Sequence, residues 1–116
     1  MYLLFGSKSQ FDDLCYAIIT ALKETHPHIQ RIYVRAEYPH INKSYTNYLL
    51  QSYEDTYFPE KAINSGRAVY IIRNREMIDK SNFCVLYYKE KHQLKSGTKS
   101  AYEYAKKKGK IILNFA

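Results

Sequence analysis

No apolar stretch in this chain approaches the roughly 18 residues that a membrane-spanning helix needs, so no membrane association is expected. The start, "MYLLFGSKSQ", lacks a basic n-region, and Gly6 cuts its apolar run short. No secretory leader is therefore expected, and the cytoplasm is the expected location. Cysteine is scarce. Cys15 and Cys84 stand far apart, each inside an apolar segment, which reads as two buried free thiols rather than a disulfide framework. His26, His28, His40 and His92 fall into no metal-ligand spacing, so neither a metal nor a cofactor is expected. Internal repeats, low-complexity segments and linkers are also missing. At 116 residues the chain suits one domain, spanning 1–116.

What the chain does have is tyrosine and an uneven charge. Tyr occurs 13 times. An apolar ring with a hydroxyl at its tip suits interfaces and half-wet pockets. So many aromatic side chains in so short a chain predict a homo-oligomer, with "YTNYLLQSYEDTYF" (45–58) as its interface. The net charge is +7, yet residues 1–60 carry 5 Lys+Arg against 7 Asp+Glu, and residues 61–116 carry 13 against 4. Such asymmetry points to an anionic partner or to a solvated lysine face. The anion can be a nucleotide or phosphate ligand, or a nucleic acid. Lys106, Lys107, Lys108 and Lys110 sit at the end of a predicted helix, where lysines complement the dipole, so nucleic-acid binding is expected to be weak and salt-sensitive.

The pattern alternates short apolar runs with amphipathic stretches. "YLLF" reads as a buried strand. In "SKSQFDDLCYAIITALKETHPH", Phe11, Leu14, Cys15, Ile18, Ile19 and Leu22 recur at three- and four-residue steps, one helix face. Ser9 is its N-cap, Asp12 and Asp13 occupy its first turn, and Pro27 ends it. "IQRIYVRAEY" is a β-branched and aromatic strand stopped by Pro39. The middle is less regular: "NKSYTNYLLQSYED" suggests a short helix and "TYFPEKAINSG" a loop or short strand. From Arg67 a helix is expected, with Val69, Ile72, Arg73, Glu76 and Met77 on one side and Ile71 and Ile78 widening it. "FCVLYY" is a further strand, "TKSAYEYAKKKG" a helix with Gly109 at its C-cap, and "KIILNF" the closing strand. The expectation is an α/β fold: a three-layer Rossmann-like domain with a mainly parallel sheet, strands lying near 2–6, 30–37, 83–88 and 111–115. Ligands bind such sheets outside the strands' carboxyl ends: here Phe5–Ser7, Arg35–Glu37, Tyr87–Tyr88 and Asn114–Phe115.

Two turns at those ends carry the same device. Gly6-Ser7 lies between a strand and a helix, and Ser96-Gly97-Thr98 precedes another helix. A Gly there lets the backbone approach a phosphate, and free N–H groups at a helix start attract anions. In one parallel sheet both turns would converge on one crevice. Arg73 lies on a helix dense with Ile and Met, so its guanidinium reaches over a buried surface toward either a ligand phosphate or a structural partner, Asp79 or Glu76. Asn74 stands beside it as a hydrogen-bond donor. Asp79 is expected to brace the helix–strand junction.

"RNREMIDKSNFCVLYY", followed by a short loop and "SGTKSAYEYAKKKGKIILNF", resembles the C-terminal half of the SLOG superfamily. These are Rossmann-like domains related to the Lonely Guy phosphoribohydrolases and the DNA-processing protein A. The likeness is strongest to small bacterial and phage members. It covers about half of the chain, "YLLFGS" agrees as first strand and loop, and residues 38–66 align only loosely. The resemblance implies binding of a nucleotide or nucleotide-derived ligand of the ADP-ribose kind, as sensor or sequestering protein. It marks Gly6, Ser7, Arg73, Asn74, Ser96, Gly97 and Thr98 as ligand-binding residues. The phosphoribohydrolases carry a catalytic Glu three residues after the Thr of their Gly-Thr motif. Here that position is Ala101, and Glu103 falls two residues further on, roughly 200° around the helix. The tandem glycines before Gly97 are replaced by Leu94-Lys95-Ser96. Binding is therefore expected ahead of turnover, and no catalytic residue is assigned. The alternative is an N-glycosidase using Glu37, Glu54, Asp55 or Asp79 beside an anomeric carbon.

Overall fold

The structure is a computed structural model that describes residues 1–89 and 97–116. It resolves into two compact units, Met1–Pro59 and Glu60–Ala116. Together they give a mixed α/β fold in which every strand pair is parallel.

In the first unit, strand β1 (Tyr2–Phe5), helix α1 (Gln10–Thr25), strand β2 (Gln30–Val34), helix α2 (Lys43–Leu50) and strand β3 (Asp55–Tyr57) follow one another. The sheet order is β1-β2-β3, with Tyr2 opposite Gln30, Phe5 opposite Tyr33, and Val34 opposite Tyr57. Ser9 caps α1 as expected, accepting a hydrogen bond from the Asp12 N–H. Asn42 does the same for α2 through the Tyr45 N–H. The core holds Phe5, Ile29, Val34, Leu49 and Tyr53. Much of it is aromatic: the Tyr53 ring stacks on Tyr33 with centroids 5.2 Å apart and meets Tyr16 at 5.3 Å and Phe5 at 5.9 Å. Burial, with Tyr33 and Tyr16 beside it, pushes the Tyr53 phenol up to about 12.

Segment 45–58, expected to form an oligomer interface, divides its side chains between core and surface. Tyr53 and Leu49 are core, Tyr45 and Tyr57 are half-buried, and Tyr48 stands out as the segment's exposed tyrosine. The tyrosines absorb core volume here, and beside them Tyr16 Oη donates to the Ser52 carbonyl at 2.6 Å. A correction concerns α1. Phe11, Cys15 and Ile19 turn inward with Tyr16, whereas Leu14, Ile18 and Leu22 are exposed. At about 100° per residue the six span roughly 140°, and the row Leu14–Ile18–Leu22 forms the edge farther from core-facing Tyr16.

The second unit begins with two short 3-10 turns, then helix α3 (Val69–Asp79), strand β4 (Phe83–Leu86), helix α4 (Gly97–Lys107) and strand β5 (Ile111–Asn114). β4 and β5 pair in parallel, Phe83 opposite Ile111 and Leu86 opposite Asn114. The inward side of α3 is the expected one, with Val69, Ile72, Arg73, Glu76 and Met77 buried or half-buried. Ile78 is buried as well, but Ile71 is exposed. α4 closes on a Schellman motif: Gly109 has φ +70°, its N–H donates to the Lys106 carbonyl at 3.1 Å, and the Lys110 N–H donates to the Ala105 carbonyl at 3.0 Å. Asp79 braces this unit, accepting from Tyr104 Oη at 2.7 Å and so tying the end of α3 to α4.

The strands number five among the described residues, in a three-stranded and a two-stranded sheet, where at least four in one mainly parallel sheet were expected. They are also shorter than expected: β2 stops at Val34 and β4 at Leu86. Apolar residues continue beyond both strands, so composition marks the strand but not where its ladder stops.

Candidate functional site

β1 and β2 are parallel neighbours with Phe5 opposite Tyr33, so the residues just past their carboxyl ends come together. Lys8 follows β1. Its Nζ lies over two rings, 5.2 Å from the centroid of Tyr48 and 5.8 Å from that of Tyr33. Arg35 follows β2 and is half-buried. Its Nε donates to the Tyr38 carbonyl at 3.2 Å, Nη1 to Thr56 Oγ1 at 3.2 Å, and Nη2 to the Pro39 carbonyl at 3.5 Å. All three acceptors are neutral. Among the described residues no carboxylate lies within ion-pair distance of Lys8 or Arg35. Burial pulls the Arg35 guanidinium below its ordinary value, opposed by Tyr45 and Asp55.

Tyrosines line the same place. Tyr38 sits at φ +58°, a conformation that strains a bulky side chain, and its ring is exposed. It meets Tyr45 edge-on at 5.8 Å, and Tyr45 meets Tyr48 at 6.1 Å. Two cations with no carboxylate at ion-pair distance, next to exposed aromatic rings, can hold an anion and stack a planar group. Sequence reasoning named Arg35 as a strand end but gave it no role, and it missed Lys8, Tyr38, Tyr45 and Tyr48. The signal was a cation placed within three residues after each of two apolar strands, with a Tyr pair at helical spacing following.

The turn expected to cradle a phosphate is differently engaged. Ser7 Oγ donates to the Asp12 carboxylate, and Ser9 Oγ donates to the same group. The start of α1 therefore already holds a negative side chain. Gly6 leads directly into this turn.

In the second unit the structure gathers Arg73, Asn74 and Gly97. Arg73 is only 7% exposed. Its Nε donates to Asn74 Oδ1 at 2.8 Å, and its guanidinium carbon lies 5.7 Å from the centroid of the Tyr70 ring. A Cβ placed on Gly97 would lie 3.8 Å from Asn74 Nδ2, so the first residue of α4 approaches that amide closely. Thr98 follows as the second residue of α4, and Ser96 lies outside the described residues. The seven expected residues thus divide between the units: Gly6 and Ser7 in the first, Arg73, Asn74, Gly97 and Thr98 in the second.

Of the carboxylates weighed for catalysis, Glu54, Asp55 and Asp79 have other partners. Glu54 accepts from Arg31 at Oε1 (2.9 Å, from Nε) and Oε2 (2.6 Å, from Nη2), with Lys23 Nζ 3.5 Å away. The Arg31 hydrogen bonds hold its carboxyl down to about 2, too low for a general acid near neutral pH. Asp55 accepts from the Thr56 N–H, Asp79 from Tyr104, and Glu37 is exposed. Glu103 is exposed and 4.0 Å from Lys99. Glu76 lies 3.9 Å from Lys80. Cys15 and Cys84 are free but only half-buried, and burial raises both thiols. Among the described residues no group of His, Cys, Asp and Glu could hold a metal ion, and no helix is long and apolar enough to cross a membrane.

No family model, curated protein or solved structure matches this chain.

Proposed function

We propose that the protein binds a nucleotide-derived small molecule, of the ADP-ribose or nucleotide kind, as sensor or sequestering protein in the cytoplasm. The observation that carries this reading is the pair Lys8 and Arg35, at the carboxyl ends of adjacent parallel strands, facing neutral acceptors and tyrosine rings. The cations suit a phosphate, and the exposed Tyr38 and Tyr48 rings suit a base. The Arg73–Asn74–Gly97 group adds support, because a buried guanidinium beside a glycine at a helix start is a phosphate-binding arrangement. The same reading takes the fold as a three-layer Rossmann-like domain of SLOG type, with binding rather than hydrolysis as the activity.

Isothermal titration against nucleoside mono- and diphosphates, ADP-ribose and inorganic phosphate tests it. Saturable heat is expected with at least one phosphate-bearing nucleotide and little with the free nucleoside. Absence of binding by every nucleotide at millimolar concentration would overturn the reading.

A further inference from the structure

Tyr33 is the penultimate residue of β2 and Arg35 stands two places on, so both side chains point to the same side of the first sheet. Lys8 reaches that side as well, its Nζ 5.8 Å from the centroid of the Tyr33 ring. Thr56 of β3 stands opposite Tyr33 in the ladder. Its hydroxyl donates to the Tyr33 carbonyl at 2.8 Å. A hydroxyl has one hydrogen to give, so the oxygen's lone pairs are left to accept, and Arg35 Nη1 donates to them at 3.2 Å. β3 also holds the main chain of the same residue: the Arg35 N–H donates to the Tyr57 carbonyl at 2.8 Å. One short strand therefore fixes Arg35 at its backbone and at its guanidinium.

The donors of that guanidinium can be counted. Arginine has five N–H groups. Nη1 gives one to Thr56, Nε gives its own to the Tyr38 carbonyl, and Nη2 gives one to the Pro39 carbonyl. One N–H remains on each terminal nitrogen. Such a pair suits two oxygens of one phosphate, and bidentate binding of that kind depends on the orientation of the guanidinium plane. Tyr38 and Pro39 lie in the loop after β2, where Tyr38 is held at φ +58°. Thr56 is the acceptor that belongs to the sheet.

Resting on the nucleotide reading above, we propose that Thr56 is a positioning residue of the phosphate site. It fixes the plane of Arg35 so that the two remaining N–H groups meet a phosphate of the ligand, and it acts through Arg35 alone.

Calorimetric titration with ADP and with inorganic phosphate tests the role, using two variants of the full chain. Thr56→Val keeps the shape and β-branching and removes the hydroxyl, whereas Thr56→Ser keeps the hydroxyl. Affinity for ADP is expected to fall about tenfold in Thr56→Val and to stay within about twofold of wild type in Thr56→Ser. Arg35→Ala and the double variant Arg35→Ala/Thr56→Val are expected to bind ADP equally, since a residue that acts through Arg35 has no effect once Arg35 is gone. A purely structural role would repeat the tenfold loss in both backgrounds. That additive result overturns the proposal, as does a Thr56→Val protein that binds like wild type. Nitrogen NMR of the Arg35 guanidinium, assigned with Arg35→Lys, reads the contact without any ligand. Separate Nη signals, the mark of hindered rotation, are expected in wild type and Thr56→Ser, and averaged signals in Thr56→Val. Identical spectra in all three overturn the proposal. Failure of both ADP and phosphate to bind the wild type counts against the nucleotide reading, and the spectra then decide the hold of Thr56 on Arg35. Should Thr56→Val fail to fold by circular dichroism, Thr56→Ala takes its place in every comparison.

Discussion

Glu54 is the residue whose role the structure changes most. Among the candidate catalytic carboxylates it is the one most firmly tied to structure, with Arg31 on both oxygens and the Arg31 N–H on Oε1 at 2.9 Å. Its carboxyl is held down to about 2, below the ordinary 4.5, so its stabilising contribution is present above about 4.5 and lost as pH falls toward 2. Glu54→Gln should therefore lower stability at neutral pH by about 1–2 kcal/mol, a figure discounted for partial solvent screening. Urea melts should show that gap closing as the pH falls through this window. A gap that stays constant with pH would mean that packing, not charge, is lost. Arg31 and Glu54 stand 23 residues apart, so no local pattern announces the pair, and the sequence leaves Glu54 looking like a candidate acid. Arg73 was more legible, because a guanidinium amid Ile and Met on one helix side has to be buried.

At the scale of elements, caps and periodicity decided most of what was legible. Ser9 before α1 and Gly109 after α4 both read correctly because each satisfies orphan backbone groups by local geometry alone. Gly109 carries a specific cost: at φ +70° nothing lies within 4 Å of an added Cβ, so strain alone opposes a side chain. Gly109→Ala should destabilise by about 1 kcal/mol in a thermal or chemical melt, and Gly109→Asn by less. Equal stability of Gly109→Ala and wild type would contradict the assigned cap. The division of α1 into two apolar sides was not legible. Periodicity shows which residues share a helix surface, but not which of two adjoining strips meets the sheet. The ends of β2 and β4 were overextended for a related reason: Tyr87 and Tyr88 have strand-like composition, while the ladder of β4 stops at Leu86.

For the whole molecule, the parallel α/β character was legible from alternating strands and helices, since parallel strands need helical crossovers. The division into Met1–Pro59 and Glu60–Ala116 was not read, although the charge changes from net negative to strongly positive near residue 60, because that asymmetry was taken as the mark of an anionic partner and not of a boundary. The proposal of one three-layer domain makes an expectation here: differential scanning calorimetry should give a single transition whose calorimetric and van't Hoff enthalpies agree. Two resolved transitions would instead assign each unit its own folding.

The candidate site was half legible. The principle that ligands gather at strand carboxyl ends pointed to the ends of β1 and β2, and so to Arg35, but the partners that define the chemistry, Lys8 over Tyr48 and Tyr38 at positive φ, come from the packing of α2 and the loop after β2. The most direct measurement is calorimetric titration of the best-binding phosphate-bearing nucleotide into four proteins: wild type, Lys8→Ala, Arg35→Ala and Lys107→Ala. Each of the first two substitutions is expected to weaken binding by about 1.5–3 kcal/mol, the worth of a charge-assisted hydrogen bond, with Lys107→Ala close to wild type. Equal affinity of wild type, Lys8→Ala and Arg35→Ala would contradict the placement of the ligand at the ends of β1 and β2.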